Sequence, residues 1–384
     1  MEIILRKIAN YQLEKNKPTT EGEETIKMFK NKFIPQFEPY IKRKYAKEVY
    51  KNIMNGSLGP GIQTKLIEEK IKQIHRIKNC ICTTSGTMAL MVAIRSLNLK
   101  PGSTILFPSY SFISAANAAR FLGYKIKLVD INPYTLCLDP DKLKYNKNIS
   151  CVIFINHNGY HGPDSQQVKQ FCVKHNISMI EDAAQCLGID KTGQIGDISI
   201  LSFSVPKLIT SAQGGAIITN NNKLAEKCRN IIDHGGQGWR QDRIHKSIGL
   251  NLRFNDILGS YLLPQLNDLK SLLNKRWKVF YNYYMNGIKP YRFSPYAEGN
   301  ESFWMVIYRS KKADEIIEEL KKSNIQAVKY YKPINHNPPY ETKIKYMVAE
   351  QIAKELIYLP SSLNLKKRNI KRICGIIKKV EERK

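Results

Sequence analysis

Ile177-Ser178-Met179-Ile180-Glu181-Asp182-Ala183-Ala184-Gln185 runs from a short apolar stretch into two adjacent carboxylates. The apolar part, Ile177–Ile180, reads as a buried strand, and the acids stand at its carboxyl end. Side chains alternate along a strand, so one carboxylate points into whatever lies above the strand end and the other points away. Upstream, Cys151–Ile155 is a second buried strand, and Ser165–His175 between the two is a helix carrying apolar Val168, Phe171, Cys172 and Val173. Further upstream lie the strand Ser103–Phe107 (stopped by Pro108), the Ala-rich helix Phe112–Leu122 and the strand Tyr124–Ile131. Downstream come strands Ile198–Phe203 and Gly215–Thr219 and the helix Asn222–Ile232. This alternation predicts an α/β fold: a mostly parallel central sheet with helices on both faces. Such sheets bind ligands beyond the carboxyl ends of their strands.

The flanks read differently. Residues 1–32 are polar and rich in Lys and Glu, and form an N-terminal extension or arm. Helices are expected over Phe33–Ile53 and Gln63–Ile77, around the loop Asn55–Gly61. After Leu258 a long helix over Tyr261–Tyr284, with Pro264 near its start, leads to a smaller α+β unit. That unit holds a strand Phe303–Tyr308, a helix Ala313–Ser323 and a strand Ile325–Val328. The expected organisation is therefore the extension 1–32, a large domain 33–258, and a long helix with a small C-terminal domain over 259–384.

Charge narrows the partners. The 384 residues carry 61 Lys+Arg against 33 Asp+Glu, a net charge of +28. The densest basic runs are Lys42-Arg43-Lys44 and Lys366-Lys367-Arg368, followed by Lys371-Arg372 and Lys378-Lys379. The carboxy-terminal set alternates with Ile370, Ile373, Ile376, Ile377 and Val380, the spacing of an amphipathic helix with a solvated face. No zinc-finger spacing, RNA-binding aromatic signature or arginine-rich arm occurs, so nucleic acid is not an expected partner. No apolar run is long enough to span a bilayer, and Met1–Lys7 lacks a secretion signal, so a cytoplasmic location is expected and no membrane partner. The 8 cysteines form no CxxC pair, against both a zinc ribbon and a disulfide framework. His157 and His161 have helical zinc spacing, but Gly159 and Gly162-Pro163 oppose a helix there, and no metal is expected.

Three short stretches carry the chemistry. Ser85-Gly86-Thr87 opens the apolar helix Met88–Ile94; its free N–H groups and hydroxyls suit a phosphate, though Ser and Thr are also ordinary N-caps. Glu181-Asp182 can supply an acid that pairs with a protonated ring nitrogen, or simply cap the next turn. Asp197 to Val205-Pro206-Lys207 runs from a strand into a Pro-braced loop, with Gln213-Gly214-Gly215 after it. A lysine presented this way can have its amine pKa lowered and attack an aldehyde.

Phosphate turn, strand-end acid and loop lysine 25 residues later, in that order, resemble the DegT/DnrJ/EryC1/StrS family of nucleotide-sugar aminotransferases. The resemblance runs from about Phe33 to Leu365. It is carried by Asn55–Gly61, Ser85–Leu90, Pro108–Phe112, Val129-Asp130-Ile131 with Thr135, Glu181–Gln185, Gly196-Asp197 and Ser202-Phe203. It continues through Lys207 with Gln213-Gly214-Gly215, His234-Gly235, Gly249–Arg253 and Leu359-Pro360. It implies the fold type I of pyridoxal-phosphate enzymes. It also implies that Lys207 binds the cofactor aldehyde and shuttles a proton, and that Asp182 pairs with the pyridine nitrogen. Phe112 would stack on the ring, with Gln185 beside Asp182. Gly86, Thr87 and Ser202 would hold the phosphate, with Asn251 reaching it from a second subunit, so the unit is a homodimer with shared sites.

The implied reaction is ping-pong: L-glutamate leaves its amino group on the cofactor as pyridoxamine phosphate, and a keto group of a nucleotide-linked deoxysugar receives it. Such amino sugars are precursors of surface glycans and lipopolysaccharide, the O-antigen included. Arg253 could contact a carboxylate or diphosphate, or form a structural ion pair. Dehydratase relatives carry His in place of the lysine, so Lys207 favours transamination. Leu208–Gly215 looks more like relatives that aminate C4 of a 4-keto-6-deoxyhexose than those acting at C3. Two departures, Asn156 three residues before Gly159 and Ser204-Val205 after Phe203, fall at positions expected to touch substrate choice. Competing readings are a catalytically silent pyridoxal-phosphate-binding regulator and a basic nucleic-acid-binding protein.

Overall fold

The computed structural model describes residues 33–160, 164–189, 191–236, 244–245, 247–294 and 304–383. The N-terminal extension expected over 1–32 lies outside the described residues, as do His161 and Phe303. The first helix, α1, is Arg43–Met54, shorter than the expected Phe33–Ile53. Pro35 and Pro39 explain the difference, since each lacks an N–H and pushes its predecessor out of the helical region. The chain before α1 is extended instead: Ile34 N–H donates to the Asn324 carbonyl (2.9 Å) and Gln326 N–H to the Ile34 carbonyl (2.8 Å).

α2 (Ile62–His75) is fixed at its start by one distant side chain. Buried Asp256 accepts from the backbone N–H groups of Gly61 (3.0 Å), Gln63 (2.9 Å) and Thr64 (2.9 Å), and from the Thr64 hydroxyl (2.8 Å). Replacing Asp256 with Ala strands all four donors. We expect a loss of roughly 2 kcal/mol, seen as a thermal midpoint lower by about 3–5 °C.

The sheet follows: β1 Asn79–Thr83, α3 Gly86–Ser96, β2 Thr104–Pro108, α4 Ser114–Phe121, β3 Lys125–Val129, β4 Ile149–Ile155, α5 Asp164–Lys174, β5 Ser178–Asp182, β6 Ile198–Ser202, β7 Gly215–Thr219 and α6 Asn222–Ile232. Its seven strands lie in the order β1-β7-β6-β5-β4-β2-β3. All pairs are parallel except those made by β7, which runs antiparallel to both neighbours. Alternation sorts the side chains into two cores. Cys151, Ile153 and Ile155 of β4 pack with α3 and α4, while Val152 and Phe154 pack against Val168 and Cys172 of α5. Likewise Ile81 faces one layer, and Cys80 and Cys82 meet Ile67 and Ile71 of α2 on the other. All eight cysteines are free and buried, as expected of small apolar side chains.

The single long helix expected at Tyr261–Tyr284 is two helices, α7 Asp256–Asn267 and α8 Leu269–Met285. Pro264 sits inside α7, without an N–H for the preceding turn. The break falls at Asp268, whose carboxylate is drawn aside by Lys42 (2.7 Å), Lys44 (2.8 Å) and the Tyr45 hydroxyl (2.8 Å).

Beyond it, β8 Ile307–Arg309 pairs antiparallel with the later β9 Leu356–Tyr358. Around them lie α9 Ala313–Lys322, α10 Met347–Glu355 and α11 Lys367–Glu381. The strand expected at Ile325–Val328 is instead two isolated bridges, Ile325 with Ile34 and Val328 with Tyr358, because the segment changes partner midway. Asp130, just after β3, accepts from the first N–H groups of α10, Val348 and Ala349 (both 3.0 Å). With Ile334 N–H on the Ser109 carbonyl (2.8 Å), this clasp brings the 330–334 loop over the sheet. On α11, Ile370, Ile373, Ile377 and Val380 are buried, and Lys367, Arg368, Lys371, Arg372, Lys378 and Lys379 are exposed: a solvated basic face. Among the described residues no helix is long and apolar enough to cross a membrane.

Candidate active site

The carboxyl ends of β5 and β6, facing the amino end of α3, form one crevice. The two adjacent acids part as strand alternation requires. Glu181 turns into the protein, where it accepts from Asn156 Nδ2 (2.7 Å), Gly193 N–H (3.1 Å) and the Ser199 hydroxyl (3.1 Å). Asp182 turns into the crevice and accepts from Ala184 N–H (3.0 Å). Burial pushes the Asp182 carboxyl up, against the opposing pull of the Ala184 N–H and the Lys207 charge.

Lys207 reaches the same space from the loop after β6. Its amine is pushed down to about 8 by loss of solvent, while the charges of Asp182 and the Cys186 thiol pull the other way. An amine at that value is a substantial fraction neutral near pH 7–8, as nucleophilic attack on an aldehyde requires. Phe112, Gln185, Tyr330 and Tyr331 line the cavity with Asp182 and Lys207. Phe112 presents an exposed ring 6.5 Å from that of Tyr331. The Gln185 amide is fixed at both ends, its oxygen accepting from Asn158 N–H and its nitrogen donating to the Tyr331 hydroxyl (3.4 Å).

At the opening of α3, Ser85 caps the helix by accepting from Met88 N–H (3.1 Å). The N–H groups of Gly86 and Thr87 in that first turn have no partner within the helix. Ser202, the last residue of β6, lies against them. A Cβ on Gly86 would stand 2.9 Å from Ser202 Cβ and 3.0 Å from its hydroxyl, so only glycine leaves this cradle open. The residues fit pyridoxal 5′-phosphate: a cradle of N–H groups and a hydroxyl for the phosphate, an acid in the same crevice for the ring nitrogen, and a lysine of lowered pKa for the aldehyde. Gly86→Ala should therefore weaken cofactor binding by roughly tenfold, the loss of one or two phosphate hydrogen bonds, measured by titrating cofactor-free protein with pyridoxal phosphate.

Gly86, Phe112, Asp182, Gln185, Ser202 and Lys207 thus converge, and Thr87 follows Gly86 in the first turn of α3. Two residues do not join them within one chain. Asn251 is exposed, and Arg253 is tied to Asn251 Oδ1 through Nε (3.0 Å) and to Asp233 (3.4 Å). Arg253 thus forms an ion pair within the chain. Of the two departures, Ser204 lines the crevice, but Asn156 points at Glu181, away from it. The neighbouring His157 is nearer, its Nε2 3.0 Å from the Tyr358 hydroxyl and its ring 5.6 Å from that of Tyr331. Burial and the nearby Arg292 charge push His157 down to about 3, so it is neutral. Trp304, Tyr330 and Tyr331 have no local sequence signal; only the fold brings them to Lys207. No group able to hold a metal ion occurs among the described residues.

The family model of the DegT/DnrJ/EryC1/StrS aminotransferase family matches residues 39–378. The chain is 28% identical to the UDP-2-acetamido-2-deoxy-3-oxo-D-glucuronate aminotransferase of Pseudomonas aeruginosa, over 88% of this chain and 96% of that protein. It is 27% identical to the UDP-4-amino-4,6-dideoxy-N-acetyl-beta-L-altrosamine transaminase of Campylobacter jejuni, over 78% and 85% of the two chains. Among solved structures, Helicobacter pylori PseC, an aminotransferase involved in the biosynthesis of pseudoaminic acid, superposes with a TM-score of 0.82 at 25% identity, covering 91% of this chain and 99% of that one. The chain belongs to the DegT/DnrJ/EryC1/StrS aminotransferase family, whose cofactor is pyridoxal 5′-phosphate.

Proposed function

We propose that this protein moves the amino group of L-glutamate to a keto group of a nucleotide-linked deoxysugar, at C4 of a 4-keto-6-deoxyhexose, in the supply of surface-glycan precursors. The observation that carries it is the convergence of Asp182 and Lys207 on one crevice beside the Gly86–Ser202 cradle. When bound, pyridoxal 5′-phosphate supplies an aldehyde that takes up the amino group and a ring that accepts the released electron pair. Asp182 holds a proton on the ring nitrogen. Lys207 would carry the proton between the donor's Cα and the cofactor. Gly86, Thr87 and Ser202 would hold the phosphate and Phe112 the ring, with Gln185, clamped by Asn158 and Tyr331, held near Asp182.

The relatives include one named for a 3-oxo sugar and one for a 4-amino product; the choice of C4 rests on Leu208–Gly215. A homodimer is part of the same reading. Exposed Asn251 completes the phosphate site of a second copy, and the exposed apolar residues Tyr50, Met54, Leu58 and Ile62 on and near α1 and α2 supply a surface for it. The large domain ends near Leu258, and α7 and α8 lead into the smaller one. The surplus of positive charge raises the local concentration of anionic donor and diphosphate sugar without a nucleic-acid partner.

Incubation with glutamate and a panel of 4-keto and 3-keto nucleotide sugars, with products identified by mass and NMR, tests the whole reading. Amination of a 4-keto sugar is the expected result. Exclusive use of 3-keto sugars overturns the C4 assignment. Absence of any glutamate-driven shift to the pyridoxamine form overturns the enzymatic reading.

A further inference from the structure

Trp304 is fastened to the surroundings of Lys207 from several sides. Its backbone N–H donates to the Asn158 carbonyl (3.1 Å), and its indole N–H donates to the carbonyl of Pro206, the residue before the lysine (2.6 Å). Its ring meets Tyr330 edge-on, with centroids 5.3 Å apart, and Tyr358 at 6.4 Å. Against this fixed indole lies Lys207 Nζ, 4.5 Å from the ring centroid. Among the described residues Nζ makes no hydrogen bond.

Lys207 and Trp304 also line two adjoining cavities. One is the crevice, shared with Phe112, Asp182 and Tyr331; the other is a small recess lined by Gln185 and Ser202 as well as by Leu187, Leu208 and Ile209. A lysine stem has four flexible bonds and substantial rotamer entropy. Without a resting surface the amine would sample both spaces. The groups of charge or titration facing it are Asp182, the Cys186 thiol, and the phenols Tyr330 and Tyr331; burial raises both phenols and keeps them neutral.

We propose that Trp304 is a positioning residue whose indole face holds the Lys207 amine against the wall of the crevice whenever that amine is not bonded to the cofactor. The proposal rests on the reading of Lys207 as the cofactor lysine. The amine must leave and return in every cycle, and a fixed resting place shortens its return, an orientation effect. The attraction is that of a cation, or more weakly an N–H, for an aromatic face.

The test uses the full chain freed of cofactor. Capture of pyridoxal 5′-phosphate is followed by stopped-flow absorbance, and borohydride reduction with peptide mass mapping locates the adduct. In this step a C–N bond forms between amine and aldehyde carbon and the carbonyl oxygen leaves as water, with no change of redox state. Trp304→Leu should slow capture by about 3- to 30-fold, the range of one aromatic–cation contact. Trp304→Phe, which keeps a ring face, should lose less than about threefold. Affinity for pyridoxamine phosphate, which needs the cradle and Asp182 but not the amine, should stay within about twofold in both.

Wild-type capture by Trp304→Leu overturns the proposal, and so does a parallel loss of pyridoxamine phosphate affinity. If Trp304→Leu does not fold, indole emission decides: Lys207→Met must change the emission of the wild-type chain but not that of Trp304→Phe, and no such difference overturns it. An adduct mapped to another lysine in the wild type defeats the lysine assignment itself, a result distinct from every Trp304 outcome.

Discussion

Lys207→Ala should abolish transamination, with a loss of at least about 10²–10⁴ from the missing proton transfer alone. It should also remove the borohydride-reducible link to the cofactor. The protein should fold, because Lys207 contributes little to stability. Its backbone N–H bond to the Ser204 carbonyl (3.0 Å) does not depend on the side chain, and among the described residues the amine makes no hydrogen bond. Cofactor should still bind non-covalently, since the Gly86–Ser202 cradle and Asp182 are untouched. Small amines added to the variant should restore part of the rate by entering the space the side chain vacates. The wild-type pH dependence has a defined sign. The neutral amine is the nucleophile and Lys207 is lowered to about 8, so capture of pyridoxal phosphate by cofactor-free protein should rise with pH and level off above about 8. A rise continuing to the ordinary lysine value of about 10.4 would show that the amine is not desolvated.

Much of this is legible in the sequence, and the reason is local. The strand pattern around 151–219 has short apolar runs closed by Pro, Gly or charged residues, and the sheet uses those runs almost as read. The divergence of Glu181 and Asp182 follows from strand alternation alone. The segments that misread are governed by distant partners. Phe33–Lys42 looks helical by composition but is extended by its prolines and by pairing with Asn324–Gln326. The helix break at Asp268 depends on Lys42, Lys44 and Tyr45, more than 220 residues earlier. The aromatic wall of the crevice is of the same kind. Trp304, Tyr330 and Tyr331 carry no motif, and the Asp130–α10 clasp delivers the two tyrosines to Lys207. Asn156 and His157 are adjacent, and one residue of phase turns the first toward Glu181 and the second toward the Tyr331 and Tyr358 rings behind the crevice.

Asp182→Asn should produce two effects of opposite sense. The substitution keeps the shape and the acceptor for the Ala184 N–H, so the fold is retained, but it removes the negative charge. Without that charge the ring nitrogen loses its proton and the ring accepts electrons poorly. A fall in kcat of about 10²–10³ is expected, the scale of removing one oriented electrostatic stabiliser. The lysine should respond in the other direction. Asp182 now holds the Lys207 value up against desolvation, so its loss moves the amine further below about 8. Titrating the reactivity of Lys207 in cofactor-free Asp182→Asn should therefore give a lower midpoint than wild type, even as turnover collapses. A variant with more neutral lysine and less activity separates the ring-nitrogen role from any effect on the nucleophile; an unchanged kcat removes the role altogether. Glu181→Gln is the matched control. Its three donors, Asn156, Gly193 and Ser199, all lie on the inner side of the strand. Its loss should lower the thermal midpoint by a few degrees, about 1–3 kcal/mol of charge-assisted hydrogen bonding, while kcat of the folded enzyme changes little. Two carboxylates one residue apart should thus fail in different assays, because a single strand alternation places one in the core and the other against the reacting centre.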